Sequence, residues 1–139
     1  MAVTRKTSYA LRALCEIASS GDKKPVNRQI IAEKQQISSS YLEHILIDLQ
    51  KSQLIKSVRG PGGGFVLNQN ESGITVWDVF SAVEKTNCVY EKCNEQENDE
   101  CKNPENCNVK YVWDDINAVL EEKMISITLK DILTHGAES

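Results

Sequence analysis

The stretch Val58-Arg59-Gly60-Pro61-Gly62-Gly63-Gly64-Phe65 places four glycines and a proline between two short apolar runs. No helix or strand interior tolerates that density, because glycine loses most backbone entropy on ordering and proline removes a backbone donor. The span has to be a tight turn, so the flanking runs 54–58 and 65–67 read as the two β-strands it joins. Backbone bare of side chains at such a turn can approach phosphate, and Arg59 at its start could reach a narrow minor groove. An ordinary hairpin with an exposed arginine is the alternative reading.

Upstream of this hairpin the pattern is helical. In residues 6–20, Ala10, Leu14, Ile17 and Ala18 recur at spacings of three and four, which predicts a first helix ended by Gly21-Asp22. Asn27 is an N-cap candidate for a second helix to about Lys34, with Val26 and Ile31 spaced as a hydrophobic staple. After Gln35-Gln36-Ile37, Ser40 and Glu43 have capping-box spacing. Tyr41, Leu42, Ile45, Leu46 and Leu49 then predict the buried face of a third helix reaching about Ser52. Two short helices with a tight connector form a helix-turn-helix whose second member suits a major groove, and the hairpin that follows is a wing.

Charge supports that orientation. Residues 1–67 hold ten Lys or Arg against five Asp or Glu, a balance of +5, while residues 68–139 hold six against fifteen, a balance of -9. A basic half facing a polyanion and an acidic half facing away fits this polarity. With 139 residues and 40% hydrophobic content the chain can bury one core with an appended segment and has no need of disulfides. No apolar run approaches the ~20 residues of a membrane span, and Met1-Ala2-Val3-Thr4-Arg5-Lys6 lacks the apolar core of a secretory signal. A soluble, cytoplasmic protein without a membrane partner is the expectation.

Downstream, Thr75 opens another helix, with Ile74 and Val79 in staple positions, Asp78 at its third position, and Trp77, Phe80 and Val83 as bulky apolar residues. Residues 84–108 are polar, acidic and interrupted by Pro104, and suit neither helix nor strand. From 109 to 124, Val112, Trp113, Ile116, Val119 and Leu120 form an apolar stripe whose expected partner is a second copy of the chain. Packing within the monomer is the alternative. Thr128 caps a last short helix ending near Leu133. The organisation predicted is mainly α: a winged helix-turn-helix domain at 1–83 with a two-stranded wing, a cysteine-containing loop at 84–108, and a long dimerisation helix with a short C-terminal helix at 109–139.

Four of the five cysteines crowd into that loop, with four residues between Cys88 and Cys93, seven between Cys93 and Cys101, and five between Cys101 and Cys107. In a reducing compartment such clustering favours metal or redox chemistry over a disulfide framework. Structural zinc sites usually contain a pair two to four residues apart, which only Cys88 and Cys93 approach, whereas the longer gaps suit a loop around an iron-sulfur cluster. Six carboxylates against two lysines in residues 91–105 would lower the potential of such a cluster. Cys15 falls mid-helix beside the apolar stripe, reads as a small buried hydrophobe, and is left out of the site.

Taken in order, these parts resemble the iron-sulfur winged-helix transcription regulators typified by the iron-sulfur cluster regulator IscR, over nearly the whole chain. The residues carrying the likeness are Ser8-Tyr9-Ala10-Leu11-Arg12-Ala13-Leu14, Ile37-Ser38 with Tyr41-Leu42-Glu43, Val58-Arg59-Gly60-Pro61-Gly62-Gly63-Gly64, Cys93, Cys101, Cys107 and Ile127-Thr128-Leu129. The resemblance implies a homodimeric bacterial repressor of double-stranded DNA operators, governed by a 2Fe-2S or 4Fe-4S cluster on Cys93, Cys101 and Cys107. It implies DNA contacts from Ser38, Ser39, Ser40, Tyr41, Glu43 and His44 on the third helix and from Arg59, Gly60, Pro61, Gly62 and Gly63 in the wing. Three positions depart from the pattern. Lys110 stands where cluster-assembly regulators place a ligand histidine, Ser8 stands where nitric-oxide sensors use a carboxylate, and the wider gap from Cys93 to Cys101 is similar to that of iron-responsive relatives. Cys88 is therefore the candidate fourth ligand. A zinc-binding or thiol-disulfide switch on the same scaffold is the alternative. An enzyme has little support, since neither His44 nor His135 has a nucleophile and orienter around it and the glycines lack the lysine and helix of a phosphate loop.

Overall fold

The computed structural model describes residues 3–21, 24–89 and 109–138. Helices α1 (Arg5–Ser19), α2 (Arg28–Gln35) and α3 (Ser39–Lys51) precede strands β1 (Ile55–Val58) and β2 (Gly64–Leu67), and α4 (Val76–Glu84), α5 (Lys110–Ser126) and α6 (Leu129–Glu138) follow. The winged helix-turn-helix expected from the sequence is present, mainly α with a two-stranded antiparallel sheet in the register Ile55↔Leu67 to Val58↔Gly64. No helix among the described residues is long and apolar enough to cross a membrane.

Except at α5, which Val109 enters without a side-chain cap, the helices start where a side chain answers the first free N–H groups. Thr4 caps α1, Asn27 accepts from the Ile30 N–H at 2.9 Å, and Thr75 with Asp78 forms a reciprocal capping box on α4. At α3 the cap is Ser38, whose Oγ accepts from the Tyr41 N–H, so the capping box expected from Ser40 and Glu43 is not formed. The connector explains the shift. Gln36 turns left-handed (φ 54°), Ile37 is buried with its N–H donating to the Ala32 carbonyl at 3.1 Å, and the chain is already helical by Ser39. Tyr41, expected in the buried face, is 36% exposed, while Leu42, Ile45, Leu46 and Leu49 form that face as expected.

The core gathers Leu14 and Ile17 of α1, Ile31 of α2, the buried face of α3, Ile55 of β1, Ile74, and Val79 and Val83 of α4. Two returns of the chain close it. Residue 26 bridges β2 on the side away from β1, through Val26 N–H to the Phe65 carbonyl (3.0 Å) and Phe65 N–H to the Val26 carbonyl (2.8 Å). The C-terminal segment comes back to the start of α4, where the Val76 N–H donates to Ile127 and the Leu129 N–H to Ile74. Leu129 is 1% exposed in the winged-helix core and Leu133 packs against it, and α6 runs beyond the expected end at Leu133 to Glu138.

Gly64 is where the wing and residue 26 press together. A Cβ there would stand 2.4 Å from the Val26 carbonyl carbon and oxygen, and its φ of +155° lies outside the range of L side chains. Gly60 also has positive φ but faces open space. Gly64→Ala is expected to lose about 2 kcal/mol or more in urea denaturation, and Gly60→Ala about 1 kcal/mol from conformation alone. Equal losses would refute the close-approach argument.

Candidate nucleic-acid interface and cysteine segment

The helical period gives α3 two faces. With Leu42, Ile45, Leu46 and Leu49 turned inward, Ser39, Ser40, Glu43, His44 and Ile47 share the exposed one, with Ser38 and Tyr41 exposed at its entry. Apart from Ile47 that row is polar, short-armed at its N-terminal end, and free of backbone obligations except for the Ser38 cap, as suits a groove-reading helix.

Neighbouring helices hold the row in place. Tyr41 meets Tyr9 edge to face at 5.8 Å between centroids, and the Arg12 guanidinium lies 5.4 Å over the Tyr9 ring. Arg12 also donates to the Gln35 side chain and carbonyl, each at 2.7 Å, so a cation from α1 satisfies the C-terminal end of α2. Gln35 in turn donates to Glu16 at 2.6 Å. On the other side, α3 is tied to β1 by Gln50 donating to Ser57.

At the wing tip Arg59, Gly60, Pro61 and Gly62 are exposed, and the Gly63 N–H closes the turn on the Gly60 carbonyl at 2.9 Å. A Cβ on Gly63 would fall 2.3 Å from the Val58 carbonyl oxygen, so the glycine run sets a defined tip. Arg59 therefore starts from a fixed backbone and extends into solvent.

Of the sulfur ligands expected from the sequence, Cys93, Cys101 and Cys107 lie outside the described residues. Cys88 is buried, 5% exposed, next to buried Val89, and its N–H donates to Thr86 Oγ1. Cys15 is partly buried in α1, and burial with the adjacent Glu16 charge pushes its thiol up. Among the described residues no group of three metal-ligating side chains converges.

The expected dimerisation stripe lies on α5 without a buried apolar member in the described chain. Val112, Trp113, Ile116 and Leu120 are half-buried, Val119 is 64% exposed, and Tyr111 beside them is equally open.

Sequence reasoning missed three groups of contacts. Arg28 pairs with Glu43 at 3.2 Å. Glu84, the last residue of α4, accepts from Thr4 Oγ1 (2.6 Å), Thr7 Oγ1 (2.8 Å) and the Thr4 N–H (3.2 Å) at the start of α1. Asp48, on the inner face of α3, is buried and held by Lys6 at 2.7 Å and Lys85 at 3.5 Å. Only Arg28 left a local trace, as a basic residue in the first turn of a helix, where the dipole favours acids.

A family model described as Rrf2, iron-dependent transcriptional regulator, matches residues 3–135. The chain belongs to the Rrf2 family. It is 34% identical over 135 residues to the IscR regulator of Sodalis glossinidius, covering 97% of this chain and 80% of that one. Among solved Rrf2-like structures, T. potens IscR superposes with a TM-score of 0.75 at 30% identity, covering 96% of this chain and 87% of that one. CymR, the global cysteine regulator of B. subtilis, gives 0.76 at 26% identity, with 96% of each chain covered. As a member of that family, the chain is a DNA-binding transcription regulator and not an enzyme.

Asp48 connects this interface to stability and pH. Burial alone would raise its carboxyl pKa, but the hydrogen bond and charge of Lys6, joined by Lys85, outweigh burial and hold it below the usual carboxylate value. A lowered folded-state pKa means the stabilisation is present above the unfolded value of about 3.9 and disappears as pH falls through the folded value. Asp48→Asn should cost about 1–3 kcal/mol in urea denaturation at pH 7, with the gap to the parent closing in acid. A gap independent of pH would show that the charge is not the cause.

Proposed function

We propose that this Rrf2-family chain is a cytoplasmic, homodimeric repressor that reads a double-stranded operator with α3 and the wing. In this reading Ser38, Ser39, Ser40, Tyr41, Glu43 and His44 lie against base edges and phosphates, Arg59 enters the minor groove, and Gly60, Pro61, Gly62 and Gly63 let the wing backbone approach it. The observation that carries the reading is the exposed polar row of α3, braced through Tyr9, Arg12 and Gln35 and tied to a wing whose tip presents an unencumbered arginine.

The donor set of the cysteine segment fits an iron-sulfur cluster by its chemistry: Cys93, Cys101 and Cys107 are soft thiolate ligands in sequence proximity, and Cys88 stands as the candidate fourth. Bound there, the cluster would supply a charge and ligation state responsive to iron supply, oxidant or nitric oxide. The chain's own residues provide the coupling. Glu84 is fastened to the start of α1 and Lys85 to Asp48 beneath α3, so displacement of the segment's origin bears directly on the recognition helix. A coupling of roughly 1–3 kcal/mol makes a useful switch. The apolar residues left open on α5 support association with a second copy, which would space two recognition helices about one DNA turn apart. The likeness to CymR, a cysteine regulator, supports sensing by something other than a cluster, and the second reading is accordingly a zinc-binding or thiol-disulfide switch on the same scaffold.

Anaerobically purified protein is expected to be brown, with matching iron and acid-labile sulfide that are lost in Cys93→Ala. Colourless protein holding zinc or no metal after attempted reconstitution would establish the second reading instead. Arg59→Ala should weaken operator binding at least roughly tenfold while iron content stays constant, and unchanged affinity would remove the wing assignment. Val119→Glu should sediment as a folded monomer, whereas an intact dimer would place the interface elsewhere.

A further inference from the structure

Arg28 is the first residue of α2, in the turn where a helix N-terminus disfavours positive charge, and no acidic residue shares that turn. Helix stability therefore gives no reason for an arginine there. Its guanidinium instead lies 3.2 Å from Glu43 Oε1, and both side chains remain open to solvent, 42% and 56% exposed. An ion pair this exposed contributes little to folding.

Glu43 sits in the middle of the exposed row of α3, between Ser39 one turn before and Ile47 one turn after. A lone carboxylate on a groove-facing helix is repelled by phosphate, and its favourable base partner is an amino donor, cytosine N4 above all. The Arg28 guanidinium on one oxygen fixes the direction of the carboxylate and offsets its charge, leaving Oε2 to accept from a base. The start of the first helix of a helix-turn-helix lies near the DNA backbone, which gives the remaining donors of Arg28 a phosphate to contact.

We propose that Arg28 is a specificity-determining residue: it positions Glu43 to read a cytosine amino group at one operator position, and it neutralises the repulsion that Glu43 would otherwise meet. The inference rests on the reading of α3 as the recognition helix.

The test is selection of bound duplexes from a randomised DNA library by the full-length parent chain, Arg28→Ala, Arg28→Lys, Glu43→Ala and the double variant, followed by affinities for the selected site and its single-base changes. The expected result is a preference at one base pair of roughly tenfold in the parent, lost in Glu43→Ala and largely lost in Arg28→Ala. Arg28→Lys should recover affinity more than base preference, since an ammonium restores charge but not the planar fork. The double variant should discriminate no worse than Glu43→Ala alone. If Glu43→Ala loses the preference while Arg28→Ala keeps it and weakens all sequences alike, Arg28 contacts phosphate only and the proposal is overturned. If neither substitution alters the profile of a chain that still selects a site, Glu43 does not face bases, and the recognition-helix reading at that position falls with it.

Discussion

The amphipathic division of α3 is the constraint on which the other elements depend. Leu42, Ile45, Leu46 and Leu49 are all within 2% of complete burial, and α1, α2, α4 and β1 pack around them. Burying such side chains stabilises by about 1.5–3 kcal/mol each before entropy is counted, so the helix cannot rotate to present another face. The exposed row from Ser39 to Ile47 is consequently fixed by what lies beneath it. The geometry of the surface is inherited from packing in the core.

A buried face alone would still allow α3 to slide along its axis. Asp48 resists this, because its carboxylate is held from two directions, by Lys6 at the start of α1 and Lys85 at the end of α4. Those elements are themselves tied where Glu84 takes three hydrogen bonds from Thr4 and Thr7. The origin of the cysteine segment, the start of α1 and the inner face of α3 thus share one small polar cluster. A charged group is suited to this role because its loss is costly and its geometry directional.

Much of this architecture was legible because it rests on local rules. Asn27 and Thr75 announce helix starts, apolar spacing marks the inward faces, and the glycine run admits nothing but a turn. The failures fall where distant residues decide. Ser38 wins the α3 cap over Ser40 because Gln36 turns left-handed and Ile37 is drawn into the core, so the chain enters its helix earlier than capping spacing suggests. Tyr41 stays exposed because Tyr9 offers an edge-to-face contact at the surface. Arg28, Asp48 and Glu84 acquire meaning only from partners 15, 42 and 80 residues away, separations that periodicity does not register. The return of α6 through Leu129 was hidden for the same reason: an isolated bridge between Thr75 and Thr128 leaves no pattern in either segment.

The distribution of charge and apolar surface follows the same division of labour. The +5 balance of residues 1–67 belongs to the segment with the helix-turn-helix and wing, while the -9 of the remainder belongs to α4, the cysteine segment and the C-terminal helices. On the proposed reading, one winged helix would offer a short row on α3 and one wing arginine, a small interface for a polyanion whose affinity is mostly phosphate contact. In the proposed dimer, doubling that interface through α5 would raise affinity without new chemistry, because the second half-site would then be engaged at high effective concentration. It would also make the spacing between two α3 helices a controllable quantity. A chain that fixes α3 rigidly, through Leu46 and Asp48, would in such a dimer leave that spacing as the coordinate through which DNA affinity is tuned.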